Sequence, residues 1–277
     1  MKKYILLVGI LVIGVLGIVG MYTFLPIASI DENENTTDES LPPMVINEIK
    51  APIIKVNISL DTKIPNVPNE MMVYKTRKIA TKEYAIEIGK KFGLQEDVRE
   101  DEKNFYVIDK PFELQVYKPS GAIWYADMSR MYGNEKNPKL PSESEAVDIA
   151  KKFLSDRDLM SGAIFDKIVV DTKKKIILDP NTNKTIYKEE PYDIQVFFRY
   201  EIDSVPIVGG SKLKVYIGNN GDVIGVFKVK RNYESWKSFK IRTPNEALRI
   251  LKERGIHSVK IPIKEAKVKG IYLAYYE

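Results

Sequence analysis

A short phrase that begins a helix occurs three times along the chain and organises its apolar and polar positions. The copies begin at Thr81, Ser142 and Thr243. After each copy, apolar residues recur at spacings of three and four, which is the period of a helix with one buried face. The second and third copies place Glu three residues after Ser or Thr, the pattern of a capping box. Helices are therefore predicted over 81–93, from Ser142 onward, and from Thr243 to Gly255.

Segments with a period of two follow the first two helices. Phe112, Leu114 and Val116 alternate with polar residues, which is typical of an antiparallel strand with one wet face. Asn220-Gly221 suits a type I′ hairpin turn. The predicted strands cover 105–108, 112–117, 122–127, 165–171, 176–178, 185–187, 192–202, 212–217 and 223–229, and 268–276 opens a further set.

The N-terminal segment from Tyr4 to Leu25 is almost wholly apolar and follows Lys2 and Lys3. A helix of this length would be about 33 Å long, enough to cross a bilayer. The flanking charges would place the N-terminus in the cytoplasm and the rest outside. A cleavable signal peptide is the alternative, but the apolar run is long and the best cleavage site has Pro26 at position −3. We expect an uncleaved anchor.

These patterns predict an α+β fold: an N-terminal transmembrane helix, a tether, and tandem modules that each combine a helix with an antiparallel sheet. The third module has no room to complete its sheet, so either its helix docks on the second module or the sequence stops early, which we favour. The expected divisions are a cytoplasmic tip at 1–3, the anchor at 4–25, an extracytoplasmic tether at 26–76, and modules at 77–138, 139–240 and 241–277, the last incomplete.

The net charge and its distribution along the chain limit the kinds of binding partner that the sequence predicts. The chain has a formal net charge of +5 and no cysteine. Six acidic residues lie between 31 and 48, so the remainder is more basic than the whole. A basic outer domain can bind anionic lipid or an anionic envelope polymer. A solvated lysine-rich surface is the simpler interpretation and the one we favour, and the expected location argues against nucleic acid.

Two segments resemble a known family. The run from Leu213 to Ile224 repeats the pattern of Leu114 to Ile123, a Leu-x-Val-Tyr strand followed by a glycine turn and a second strand. The stretch Phe198–Gly209 is aromatic-rich and ends in Val-Pro-Ile-Val-Gly. Together with the capped helices, this pattern over about 78–277 resembles PepSY-like domains and the YycI type of sensor-kinase regulator. The resemblance implies a protein that binds and regulates a membrane kinase or a peptidase, without a catalytic residue.

The sequence contains no recognisable catalytic or cofactor motif. His257 is the only histidine, so neither a histidine–cysteine metal site nor a Ser-His-Asp triad is expected. The acidic run around Glu96 to Glu102 lacks the ligand spacing and central glycine of a calcium loop. We therefore predict no enzyme, no cofactor and no metal site. A hydrolase is the least favoured alternative, and a carboxylate pair in a cleft would support it.

Aromatic residues near strand ends are the candidate interaction surface, because exposed Trp and Tyr are frequent binding hot spots. We expect a core position for Trp124 and leave the role of Trp236 open. The candidates are Trp124, Tyr125, Tyr132, Tyr233 and Trp236. The expected function is a membrane-anchored extracytoplasmic binding protein that contacts another membrane or exported protein. The alternative is a binder of an envelope polymer or glycan.

Overall fold

The computed structural model describes residues 4–16, 19–26, 53–77, 80–95, 97–133, 137–178, 185–257 and 265–277, the first two ranges as backbone only. The α-helices in these residues are α1 (Lys82–Lys91), α2 (Glu143–Ser155) and α3 (Pro244–Arg254). The strands are β1 (Tyr4–Leu16), β2 (Val19–Pro26), β3 (Ile53–Ile54), β4 (Asn57–Leu60), β5 (Glu70–Arg77), β6 (Arg99–Glu100), β7 (Asn104–Asp109), β8 (Phe112–Tyr117), β9 (Ala122–Asp127), β10 (Ala163–Leu178), β11 (Thr185–Ile202), β12 (Val205–Val208), β13 (Lys212–Ile217), β14 (Val223–Val229), β15 (Asn232–Lys240), β16 (Ile256–His257) and β17 (Glu265–Tyr276).

Strands dominate the described chain, so the expected α+β class is wrong and the fold is mostly β. The three helices contain only 10, 13 and 11 residues. By contrast, β10 and β11 alone contain 16 and 18 residues. The helices are the short elements of this fold, and the strands provide most of its backbone pairing.

The predicted transmembrane helix is also wrong for the residues that the structure describes. The backbone of 4–16 and 19–26 is extended, and β1 pairs antiparallel with both β2 and β17. The apolar run is rich in Val and Ile, whose branched side chains favour strands when a pairing partner is present. Within the described residues, no helix has the length and apolar character needed to cross a membrane.

The chain divides into two compact units. A terminal unit combines residues 1–75 with 234–277, and a central unit contains 76–233. In the terminal unit the strands run in the order β15-β5-β1-β17, and β4 pairs parallel to β17. Tyr74 and Tyr275 are both buried there and meet edge to face, with ring centroids 5.5 Å apart.

The central unit contains one continuous sheet rather than two separate modules. Its strands run in the order β12-β11-β13-β14-β9-β8-β7-β6, and β10 pairs with β11. The sheet is joined where β14 pairs antiparallel with β9, which puts Val226 opposite Tyr125. Strands expected in the first and second modules are therefore neighbours in a single hydrogen-bonded sheet, which corrects the prediction of tandem modules.

Helices α1 and α2 contact strands of the central sheet, and alternating positions give that sheet a helix face and an open face. On the helix face, Leu114, Val116 and Val215 are fully buried. A side chain at Gly89 of α1 would lie 3.5 Å from Val107, so this helix approaches β7 closely. Phe92, which ends α1, stacks on Tyr125. The open face carries the other side chains of the same strands.

The helix starts agree with the sequence prediction. Both predicted capping boxes are present: Ser142 with Glu145 begins α2, and Thr243 with Glu246 begins α3. The hydrogen bonds from Ser142 lower the pKa of the Glu145 carboxyl. These contacts satisfy backbone N–H groups that a helix leaves free at its first turn.

Candidate binding face of the central sheet

The open face of the central sheet presents lysines and aromatic rings in alternation with the buried core. On β13, Lys212, Lys214 and Tyr216 are half-buried, whereas the intervening residues are fully buried on the helix face. The strand register places Lys214 opposite Phe197 of β11 and opposite Phe227 of β14. Three neighbouring strands therefore bring basic and aromatic side chains together.

The lysine ammonium groups lie over the aromatic rings. The Nζ atom of Lys214 is 4.6 Å from the centroid of the Phe197 ring, and that of Lys167 is 5.2 Å from the same ring. The Nζ atom of Lys212 is 6.0 Å from the Phe227 centroid. Phe227 in turn lies 6.3 Å from Trp124. We call this set the lysine–aromatic stripe: Lys167, Phe197, Lys212, Lys214, Phe227 and Trp124.

The lysines of the stripe have no ion-pair partner within the described part of the chain, and Lys214 has only the longer-range attraction of Asp171. None of the ion pairs among the described side chains includes Lys167, Lys212 or Lys214, whereas Arg199 nearby pairs with Asp166 and Glu201. Burial and the neighbouring Lys212 lower the pKa of Lys214. An anion placed on the stripe would relieve that repulsion between the lysines.

Two carboxylates lie at one end of the open face. Asp171 of β10 and Asp193 of β11 are directly opposite each other in the strand register. Asp171 accepts a hydrogen bond from the hydroxyl of Tyr192 at 3.3 Å and another from Nε2 of Gln195. Asp193 is only 2% exposed, and its Oδ1 atom is buried with no hydrogen-bond partner. We call Asp171, Asp193, Tyr192, Gln195 and Tyr216 the acid end.

Burial and neighbouring carboxyl groups raise three pKa values at the acid end. Burial, together with the neighbouring Asp171, raises the pKa of the Asp193 carboxyl to about 7. Burial and the two carboxyl groups raise the pKa of Tyr192 to about 12 and that of Tyr216 to about 12. The Asp193 carboxyl therefore changes its protonation state close to neutral pH, where an ordinary aspartate is fully ionised.

A short turn at 131–133 packs beside the acid end. Met131 is buried in an apolar cluster with Ala126 and Ile224, against which Trp124 and Tyr216 pack. Gly133 has a φ of +73°, and a side chain there would meet the Tyr192 ring at 3.2 Å. Lys173 donates a hydrogen bond to the Gly133 carbonyl at 3.2 Å. The turn is therefore fixed to both β10 and β11.

The structure separates the aromatic residues that the sequence singled out. Trp124 belongs to the stripe, and its ring meets that of Tyr216 edge to face at 5.4 Å. Tyr132 lies in the turn with a φ of +60° and is 66% exposed. Tyr125 lies in the interior, stacked on Phe92, so its ring is not part of a surface.

The remaining two candidates make different contacts. The hydroxyl of Tyr233 is 2.8 Å from the Ser211 hydroxyl in the central unit. Trp236 belongs to the terminal unit, where the ammonium of Lys75 is 4.3 Å from its ring and Phe239 packs at 5.5 Å. Because Tyr125 is buried, the five aromatics do not form one surface patch.

Sequence reasoning missed the lysines of the stripe and the acid end. The alternation of Lys212, Lys214 and Tyr216 with apolar residues carried a signal, because it places all three on one face of a strand. Asp193 gave no such signal, since its position opposite Asp171 depends on the register of β11 with β10. Within the described residues, no group of three or more His, Cys, Asp or Glu side chains is arranged to hold a metal ion. The side chain of His257 lies outside the described set.

No known family matches the chain, and neither a curated protein nor a solved structure shows significant similarity to it.

Proposed function

We propose that the protein is a binding protein whose central unit takes an acidic segment of a partner protein across the lysine–aromatic stripe. The observation that carries this proposal is the set of three lysines that lie over aromatic rings without a carboxylate partner. A partner carboxylate would bring the missing negative charge. The rings of Phe197 and Phe227 would contact apolar side chains of the same segment.

The chemistry of the stripe favours a peptide ligand. Half-buried aromatic rings give contact area at little cost in side-chain entropy, and lysines add charge complementarity that speeds association. The rigid sheet holds both kinds of group at fixed spacing, since neighbouring strands lie about 4.8 Å apart. The proposed mechanism is recognition by a preformed face, without a chemical step. Regulation of a membrane kinase or a peptidase, and a location outside the cytoplasm, stay predictions from the sequence.

A fluorescent twelve-residue peptide that alternates Glu with Leu and Phe provides a direct test by fluorescence anisotropy. The double variant Lys212→Gln, Lys214→Gln should weaken binding about 10- to 30-fold, because two partly desolvated charge contacts are lost at about 1 kcal/mol each. The matched control is Lys90→Gln, Lys151→Gln, which removes two exposed lysines from α1 and α2. Equal weakening in both double variants, or none in either, would exclude the stripe as the binding face.

An anionic envelope polymer is the second candidate ligand, favoured by the excess of lysine and arginine over acidic residues in the chain. Long-chain polyphosphate has the charge but no apolar groups. If both polyphosphate and the peptide bind to the stripe, Phe197→Leu should weaken only the peptide complex, because polyphosphate has no apolar groups to contact the ring. Polyphosphate binding that is tighter than peptide binding, and lost in the Lys212→Gln, Lys214→Gln variant, would favour the polymer.

A further inference from the structure

We infer that the acid end is a second binding site, adjacent to the stripe, which takes a cationic organic group such as a lysine ammonium or an arginine guanidinium. The proposed function places an anionic ligand on the lysines. The acid end has the opposite charge and a different set of side chains. The inference therefore stands whether or not the stripe binds a peptide.

The first observation is the unsatisfied carboxyl group of Asp193. The side chain is 2% exposed, and Oδ1 has no hydrogen-bond partner. Leaving a buried acceptor without a partner is costly, so native structures rarely keep one without a reason such as a bound ligand or ion. A donor supplied by a ligand would satisfy this atom.

The second observation is the arrangement of Asp171 beside it. Asp171 is half-buried, and both of its hydrogen bonds, from Tyr192 and Gln195, end on Oδ2. No donor among the described residues bonds its Oδ1 atom. Because Asp171 and Asp193 are opposite in the register, one cation could interact with both carboxylates.

The chain's own lysines near the acid end make other direct contacts. Lys173 donates to the carbonyl of Gly133 on the neighbouring turn. Lys214 lies over the Phe197 ring, 4.6 Å from its centroid, and is 6.0 Å from the centroid of the Tyr216 ring. Neither of these lysines forms an ion pair with Asp171 or Asp193 within the described side chains. Neither carboxylate therefore has an ion-pair partner among the described side chains, and Asp171 has only the longer-range attraction of Lys214.

The surroundings fit an organic cation better than a metal ion. Calcium requires six to eight oxygen ligands, and the described residues contribute only two carboxylates at this end. Aromatic rings are present instead: Tyr192 beside Asp171, and Tyr216 meeting Trp124 edge to face. Ring faces attract ammonium and guanidinium groups when a carboxylate supplies the opposite charge.

Tyr132 marks the approach to the site. It is 66% exposed, and its neighbour Met131 is held in the apolar cluster against which Tyr216 packs. We expect a ligand side chain to enter from solvent beside Tyr132, which acts electrostatically on Tyr216 of the acid end. A basic residue on a flexible stem, or a chain's terminal amine, has the required shape.

The test is a titration of the ¹⁵N-labelled full chain, followed by NMR, with L-argininamide and separately with n-butylamine at constant ionic strength. We expect saturable shifts of the backbone amides of Asp193, Gln195 and Tyr216. Asp193→Asn should weaken binding at least 10-fold, since it removes the charge and keeps the shape. The matched control, Asp148→Asn on the exposed side of α2, should bind as the wild type does.

Three results would overturn the inference: no saturable shift with either amine, equal binding by Asp193→Asn and the wild type, or saturation of the same amides by CaCl₂ or MgCl₂ when neither amine binds. The last result would assign the site to a metal ion. Asp171→Asn is a second variant in case Asp193→Asn does not fold, which its own NMR spectrum reports. The Lys212→Gln, Lys214→Gln variant should keep or strengthen amine binding, because the Lys214 ammonium, which attracts Asp171, is removed. Failure of the stripe and failure of this site therefore give different results.

Discussion

The aromatic ring of Phe92 stacks on that of Tyr125, with centroids 4.2 Å apart and planes 13° from parallel. This contact joins the end of α1 to β9 of the central sheet. Phe92 is 7% exposed, so truncation would leave a cavity. We predict that Phe92→Ala lowers the free energy of unfolding by about 3–5 kcal/mol, measured by urea denaturation.

The control for this variant lies on the same helix. Ile86 is 38% exposed, and Ile86→Ala removes apolar atoms that are partly in water already. Its effect should stay within about 0.5 kcal/mol, as for surface substitutions in general. Similar losses in the two variants would show that α1 does not depend on the stacked pair.

Gly221 combines a positive φ with a close neighbour. Its φ is +81°, and an added Cβ would approach Cδ1 of Ile149 on α2 to 2.9 Å. Gly93 has nearly the same φ, +80°, with nothing within 4 Å of its Cβ position. Gly221→Ala should therefore destabilise the protein by about 1–3 kcal/mol, and more than Gly93→Ala. Thermal unfolding of both variants measures the difference.

Relief of the contact provides a further check on Gly221→Ala. Combining it with Ile149→Val removes the methyl group that the new Cβ meets. The double variant should recover part of the loss. Strict additivity of the two single substitutions would mean that the two groups do not interact.

Asp193 should make stability fall as pH rises. Its pKa in the folded protein is raised from 3.8 to about 7, so the folded state holds the proton more tightly than the unfolded chain. The stabilising contribution is complete below about pH 4 and is lost as the pH rises through 7. The side-chain amide of the Asp193→Asn variant cannot ionise. As the pH rises from 5 to 8, the free energy of unfolding of the wild type should therefore fall relative to that of this variant. Urea denaturation across this range tests the sign.

Asp171→Asn separates the two causes of the raised pKa. This substitution removes the neighbouring carboxylate and leaves Asp193 buried. The loss of stability with rising pH should therefore persist, but its midpoint should move to a lower pH. Parallel pH profiles for the wild type and Asp193→Asn would contradict the assignment to Asp193.

The absence of cysteine makes the predicted location straightforward to test. Ser238 on β15 is exposed, and Ser238→Cys creates a single thiol. If the protein lies outside the cytoplasm, a membrane-impermeant maleimide should label this variant in intact cells as fully as in lysed cells. Labelling only after lysis would contradict the predicted location, and the cysteine-free wild type reports the background.

Local features of the fold were predictable because local residues determine them. Ser142 and Glu145 lie three residues apart, and their capping box depends on that spacing alone. The paired positive φ values of Asn220 and Gly221 are those that a type I′ turn requires, as the Asn-Gly sequence indicated. By contrast, the pairing of β9 with β14 joins distant segments, and no local pattern specifies it.

The N-terminal prediction failed for a related reason. An apolar run of this length has too few polar residues to reveal its period, so composition alone cannot distinguish a helix from a strand. The pairing of β1 with β17 puts Leu11 opposite Tyr272, and this partner lies at the other end of the chain. The acid end likewise depends on pairing between strands rather than on a local pattern, because the register of β10 on β11 places Asp171 opposite Asp193.

The pairing of β9 with β14 also has a consequence during synthesis, because β9 is made well before the strand that pairs with it. Tyr125 and its partner Val226 are separated by about a hundred residues, which a ribosome adds in roughly 5 to 20 seconds. During that interval β9 has been made and its neighbour has not, so the growing chain exposes an unpaired strand edge with apolar residues. Such edges readily recruit strands from other chains. Protection of the nascent chain is therefore most needed between the emergence of β9 and that of β14.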